Sequence, residues 1–107
     1  MIYARFLKNK NDKLLGFDFS GHAGDLQAGQ NIVCAAVSSV AFMVANSITE
    51  VCKVEAKISL SDDGRLALLI EDKDFKSCES LLYGLLLHLE NLQSEYENEI
   101  SVSYVEV

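Results

Sequence analysis

The chain has 107 residues, enough for one hydrophobic core and no second domain. It carries 16 Asp+Glu against 9 Lys+Arg, a net charge of -7, which excludes a nucleic-acid binder working by broad phosphate neutralisation. Half the residues are hydrophobic and 23% are charged, the composition of a folded domain and not of a disordered segment. An acidic surface still attracts a basic protein partner. No apolar run reaches the roughly 18 residues a membrane helix needs. Met1 to Arg5 shows no basic region leading into an apolar one, so neither a membrane span nor a signal peptide is expected. Cys34, Cys52 and Cys78 are spaced by 18 and 26 residues, which fits neither a zinc pattern nor a CxxC motif. Reduced thiols in a cytoplasmic protein are the expectation.

The elements follow in chain order. Ile2 to Leu7 is a strand, ended by the polar run Lys8 to Lys13. Leu15, Phe17 and Phe19 alternate with Gly16, Asp18 and Ser20, the period of a second strand with one buried face. Gly21, Gly24 and Gly29 place three of the six glycines in nine residues, which predicts a loop of wide backbone freedom. Val33, Val37, Val40, Val44, Ile48 and Val51 then recur at steps of three and four, the core-facing stripe of a helix. Asn31 is its expected N-cap, with Ile32, Val33 and Cys34 in the first turn. Val54, Ala56, Ile58 and Leu60 alternate as a third strand. Ser61-Asp62-Asp63-Gly64 is a hairpin turn, and Leu66, Leu68 and Ile70 return. Asp74 caps a second helix with the stripe Phe75, Cys78, Leu82, Leu85, Leu89 and Leu92. Ile100, Val102 and Tyr104 mark the last strand.

The order ββαββαβ predicts an α+β domain of two layers. One mixed or antiparallel sheet of about five strands carries both helices on one face. Its opposite face would present Tyr3, Leu7, Leu14, Ala67, Leu69 and Val105, apolar enough to expect cover from a second copy or a peptide.

Two residues point to chemistry. His22 follows the second strand directly, and Cys34 lies twelve residues later near a helix start. A thiol is a nucleophile only as thiolate, which a helix N-terminus favours. An imidazole in reach balances the thiolate and later protonates the leaving amine. N–H groups of the same helix start can receive an oxyanion. Ser38, one turn after Cys34, shares its face and can orient thiol or imidazole, or pack small against the sheet. Cys52, Cys78 and His88 read as members or flanks of the packed helix faces. The carboxylates Asp62, Asp63, Glu71, Asp72 and Asp74 are explained by a hairpin tip and a helix start, so no metal and no other cofactor is expected.

Gly21-His22-Ala23, together with Gly29-Gln30-Asn31-Ile32-Val33-Cys34-Ala35-Ala36-Val37-Ser38, resembles the ribosomal-processing cysteine protease family, Prp. That family carries G-H-A, a glycine-containing loop, then G-x-D-I-V-C-A-A-x-S. Length, element order and the histidine-to-cysteine spacing also fit, so residues 1–107 read as a single cysteine protease domain. The resemblance implies a small cytoplasmic homodimer without direct nucleic-acid or membrane binding. It implies removal of the short N-terminal extension of a large-subunit ribosomal protein precursor (the L27 type), after a hydrophobic segment ending in two phenylalanines. Cys34 would be the nucleophile and His22 the base, supported by Gly21, Asn31 and Ser38. Ala23, Gly24 and Gly29 would belong to a mobile substrate loop running to Gln30. The sequence departs from the family pattern at Asn31, where the family has Asp; Asn caps a helix equally well and accepts a hydrogen bond from an imidazole. Two alternatives stand beside the protease: a non-catalytic module binding the basic tail of a ribosomal protein, and a thiol redox sensor.

Overall fold

The structure, a computed structural model, describes residues 1–21 and 28–107, with backbone alone over 28–31. Strands β1 (Ile2–Lys8) and β2 (Leu14–Ser20) precede helix α1 (Ala28–Asn46), which runs into a π-helical turn, Ser47–Val51. Strands β3 (Lys57–Leu60) and β4 (Leu66–Leu69) follow, then a 3-10 turn (Asp72–Asp74), helix α2 (Phe75–Glu95) and strand β5 (Ile100–Glu106). The sheet order is β3-β4-β2-β1-β5. β5 lies parallel to β1 and every other pairing is antiparallel, so the sheet is mixed. The expected order and two-layer architecture are those of the molecule.

The helix-side face of the sheet is apolar row by row. Phe6 pairs Phe17 and Ala4 pairs Phe19 across β1 and β2, and Phe17 pairs Leu68 across β2 and β4. All of these side chains are fully buried. Phe19 meets Phe6 edge-on at 5.4 Å and Phe17 at 4.7 Å between ring centroids, the offset geometry aromatic rings favour. Val33, Val37, Ala41, Val44 and Ile48 of the first helical segment close over this face, as do Phe75, Cys78, Leu82, Leu85, Leu86 and Leu89 of α2. The α2 stripe is the expected one, with Leu92 only half-buried. Val51 departs from the α1 stripe and is 78% exposed, because the π-turn from Ser47 shifts the helical phase.

Several expectations are corrected. Leu14 is not on the open face but fully buried. Leu7 pairs Gly16 while Lys8 pairs Leu14, so Leu15 is an extra residue on β2. Such a bulge breaks the strict alternation of faces and lets Leu14 and Leu15 both turn inward. Ile58 and Leu60 pair the core residues Leu68 and Leu66 and share their face, yet are 47% and 62% exposed, because β3 is the sheet edge. His88 is exposed, on a flank of the α2 stripe beside Leu85 and Leu89. Asp74 takes the N-cap position of α2 without a side-chain capping bond. Residues Ile32–Val51 are, by length and composition alone, apolar enough to cross a membrane. Ser38, Ser39, Asn46, Ser47, Thr49 and the charged Glu50 interrupt the apolar run, and one side of the segment is core in this fold.

The opposite face is more polar than expected. Tyr3 and Val105 are exposed there and Leu7, Ala67 and Leu69 are half-buried. Arg65 from β4's start donates Nε and Nη2 to both oxygens of Asp18, at 2.9 and 2.8 Å.

Gly16 and Gly21 are fixed by space. A Cβ on Gly16 would lie 1.9 Å from the carbonyl oxygen of Leu68, so β2 and β4 approach as they do only because no side chain intervenes. Gly21 has φ +85, and a Cβ there would lie 2.3 Å from the carbonyl oxygen of Met1. Gly21→Ala is therefore expected to cost about 1–3 kcal/mol, read as a lower urea midpoint with an unchanged slope.

Candidate active site

β2 delivers the chain to one end of the sheet. Ser20 pairs Tyr3, and Gly21 sits against Met1 in a left-handed conformation that only glycine adopts cheaply. His22, Ala23 and Gly24 lie outside the described residues. α1 begins at Ala28, earlier than expected. Asn31 is thus inside the first turn and not the N-cap, and Gly29 and Gln30 are helical and not loop. Cys34 falls in the second turn. The unpaired N–H groups of a helix belong to its first four residues, here Ala28, Gly29, Gln30 and Asn31. Those groups, rather than the N–H of Cys34, are the donors this helix start offers.

Cys34 is half-buried and packs against the core cluster between Val33 and Val37, which are fully buried. Ser38 is half-buried one turn further along the same face, as its spacing predicts. α1 runs back along the sheet, and its continuation reaches the Lys57 end of β3 through Val54, whose N–H donates to Ile48. The start of α1, with Cys34, therefore lies at the end of the sheet where Phe19, Leu66 and Leu60 pair in a row.

None of the three thiols is in a disulfide. Cys78 is fully buried, and its pKa is raised from the ordinary 9.0 to about 11, first by burial and then by repulsion from Cys52 and Asp74. The fold holds the protonated thiol, so this contribution to stability is full below the ordinary thiol pKa and is lost as pH rises through about 11. Cys52 is half-buried, with Sγ 3.7 Å from the carbonyl oxygen of Ser77, the neighbour of Cys78. No local pattern in the sequence signals that proximity. A thiol reagent at pH 8 is expected to titrate two cysteines in the folded chain and the third only after unfolding; three fast thiols would contradict this packing.

Among the described residues no group of three or more His, Cys, Asp or Glu is placed to hold a metal ion. Among the described residues, shallow hollows lie elsewhere on the molecule. One, of about 310 Å³, is lined by Glu55, Ala56, Lys57, Leu69, Ile70 and Glu71, and another, of about 260 Å³, is on the open sheet face around the Asp18–Arg65 pair.

The family model for the cysteine protease Prp matches residues 1–101. The chain belongs to the Prp family of cysteine proteases. It is 24% identical to the ribosomal processing cysteine protease Prp of Bacillus subtilis (strain 168), over 96% of each chain. It is 27% identical to that of Staphylococcus aureus (strain Mu50), over 97% of this chain and 99% of that one. The crystal structure of an essential Prp from S. aureus in complex with a substrate peptide superposes with a TM-score of 0.89 at 25% identity. That alignment covers 98% of this chain and 100% of the other. A second S. aureus structure, with a covalently linked product peptide, gives 0.84 at 26%, with the same two coverages. Membership in Prp makes the chain one of a family of peptide-bond hydrolases. Cys34 stands out for two reasons among its described cysteines. Cys78 is sealed in the core and Cys52 sits at the far end of the first helical segment.

Proposed function

We propose that this chain is a cytoplasmic cysteine endopeptidase that removes the N-terminal extension of a large-subunit ribosomal protein of the L27 type, cutting after a hydrophobic Phe-Phe segment. Cys34 is the nucleophile and His22 its base. The observation that carries this reading is a half-buried thiol early in α1, at the sheet end where β2 closes with Ser20. The Cys34 thiolate attacks the scissile carbonyl, and the C–N bond breaks as His22 protonates the departing amine. His22 then takes a proton from water, which hydrolyses the thioester and restores the thiol. Asn31 accepts a hydrogen bond from the imidazole. Ser38 orients the thiol from one turn away, and helix-start N–H groups hold the oxyanion.

A homodimer is part of this proposal. The outer flank of the first helical segment leaves Ile32 66%, Met43 52% and Val51 78% exposed, with Phe42 beside them. An apolar helix flank of this kind favours a protein neighbour over water.

The test is a peptide whose hydrophobic stretch ends in Phe-Phe before a basic tail, with products read by mass. Cleavage after the second Phe supports the proposal. Binding without cleavage supports the non-catalytic module instead.

A further inference from the structure

The sheet has two edges, and they differ. On β5 the N–H of Val102 points away from β1 and donates to Gln93 Oε1 of α2 at 2.6 Å, so a side chain engages that edge. On β3, among the described residues, no strand or side chain does the same. The hairpin fixes which groups are open. Ser61 N–H donates to the Arg65 carbonyl at 3.0 Å. Hydrogen-bonded pairs alternate along an antiparallel ladder, so Ser59–Ala67 and Lys57–Leu69 are the next bonded pairs. The N–H and C=O groups of Ile58 and Leu60 therefore point out of the sheet. The side chains of the same two residues lie on the face they share with the core residues Leu68 and Leu66, 47% and 62% exposed.

An open backbone edge and two exposed apolar side chains on one short strand form the elements of strand addition. The hairpin tip just beyond Leu60 carries Asp62 and Asp63, both exposed. A hydrogen bond from the Ser61 hydroxyl holds the Asp63 carboxyl below its usual range, and so ionised. The tip lies at the sheet end where α1 and Cys34 begin. We infer that β3 is the docking strand for the extended segment of the protein substrate. Apolar side chains at alternating positions would lie on Ile58 and Leu60, and basic residues would follow at Asp62 and Asp63. The inference rests on the protease reading only for naming the occupant as substrate.

Ile58→Pro is the matched test. Its N–H faces outward, so proline removes no bond within the sheet and blocks only an added strand. Leu60→Ser removes an apolar contact without touching the backbone. Both are made in the full chain carrying Cys34→Ala, and binding of a fluorescent peptide with alternating apolar residues and a lysine tail is measured. Each is expected to weaken binding about tenfold or more. A peptide N-methylated at alternating positions loses affinity in one register and keeps it in the other, a readout that needs no protein variant. The Ile58 and Leu60 amides gain hydrogen-exchange protection when the peptide is bound. Unchanged affinity for both variants and both methylated peptides overturns the inference. So does loss of a dimer in Ile58→Pro at unchanged peptide affinity, which would make the edge a contact between copies. If wild type binds through β3 but cuts nothing, the protease proposal fails and the docking strand stands; if it cuts, and Ile58→Pro and Leu60→Ser made with Cys34 intact cut equally well, the reverse holds.

Discussion

Cys34→Ala is expected to abolish peptide cleavage, by about 10⁴-fold or more, while leaving peptide binding intact. Removing the nucleophile leaves only positioning and oxyanion contacts, which cannot break the bond covalently. The fold should tolerate the change, because Cys34 is half-buried and alanine is a better helix former. Cys52→Ala and Cys78→Ala are the controls. Cys52 lies past the end of the π-turn and Cys78 in the first turn of α2. Both variants should keep activity, with Cys78→Ala losing some stability through the cavity it leaves. Equal loss of cleavage in all three would identify general destabilisation and remove Cys34 from its role. The decisive readout is mass-detected product alongside an affinity measurement on the same peptide.

Phe19→Ala should cost about 3–5 kcal/mol, the largest stability change expected of a single core substitution in this chain. Phe19 is fully buried and packs edge-on against Phe6 and at a tilt against Phe17. Truncation opens a void lined by two rings that cannot both collapse into it, so transfer and cavity terms add. For a chain of this size the melting temperature should fall by roughly 12–20 °C at about 4 °C per kcal/mol. Phe19→Leu keeps most of the volume and should cost less than about 1.5 kcal/mol. Differential scanning calorimetry of the two variants checks this; a loss under about 1 kcal/mol for the alanine variant would mean the core lies elsewhere. Phe19 stands two residues before Gly21, so a partly folded variant should also lose cleavage as the β2 end loosens.

The element order was legible because each element carries its own period. Leu15-Phe17-Phe19 repeats every second residue, and Phe75-Cys78-Leu82-Leu85-Leu89 follows helical spacing; both face the core. The hairpin at Ser61 to Gly64 was equally legible, and Gly64 indeed has φ 86. Cys34 and Ser38 share a half-buried face because their spacing is one helical turn. The helix start was not legible. Asn31 is a good N-cap by type, but nothing local forbids Ala28 to Gln30 from joining the helix.

What the sequence determined by itself is whatever lies within one element: period, turn chemistry and the pairing of side chains a turn apart. The tertiary structure decided what depends on neighbours. Strand order made β3 an edge, so Ile58 and Leu60 stayed exposed although their period matches that of buried strands. The bulge at Leu15 turned Leu14 inward, and the close approach of Leu68 made Gly16 indispensable. Packing of the π-turn against α2 brought Cys52 beside the turn that carries Cys78, across a gap of 26 residues. Alternation assigns a residue to a face, but only the neighbouring strand and helix determine whether that face is covered, and those contacts join residues that no local pattern connects.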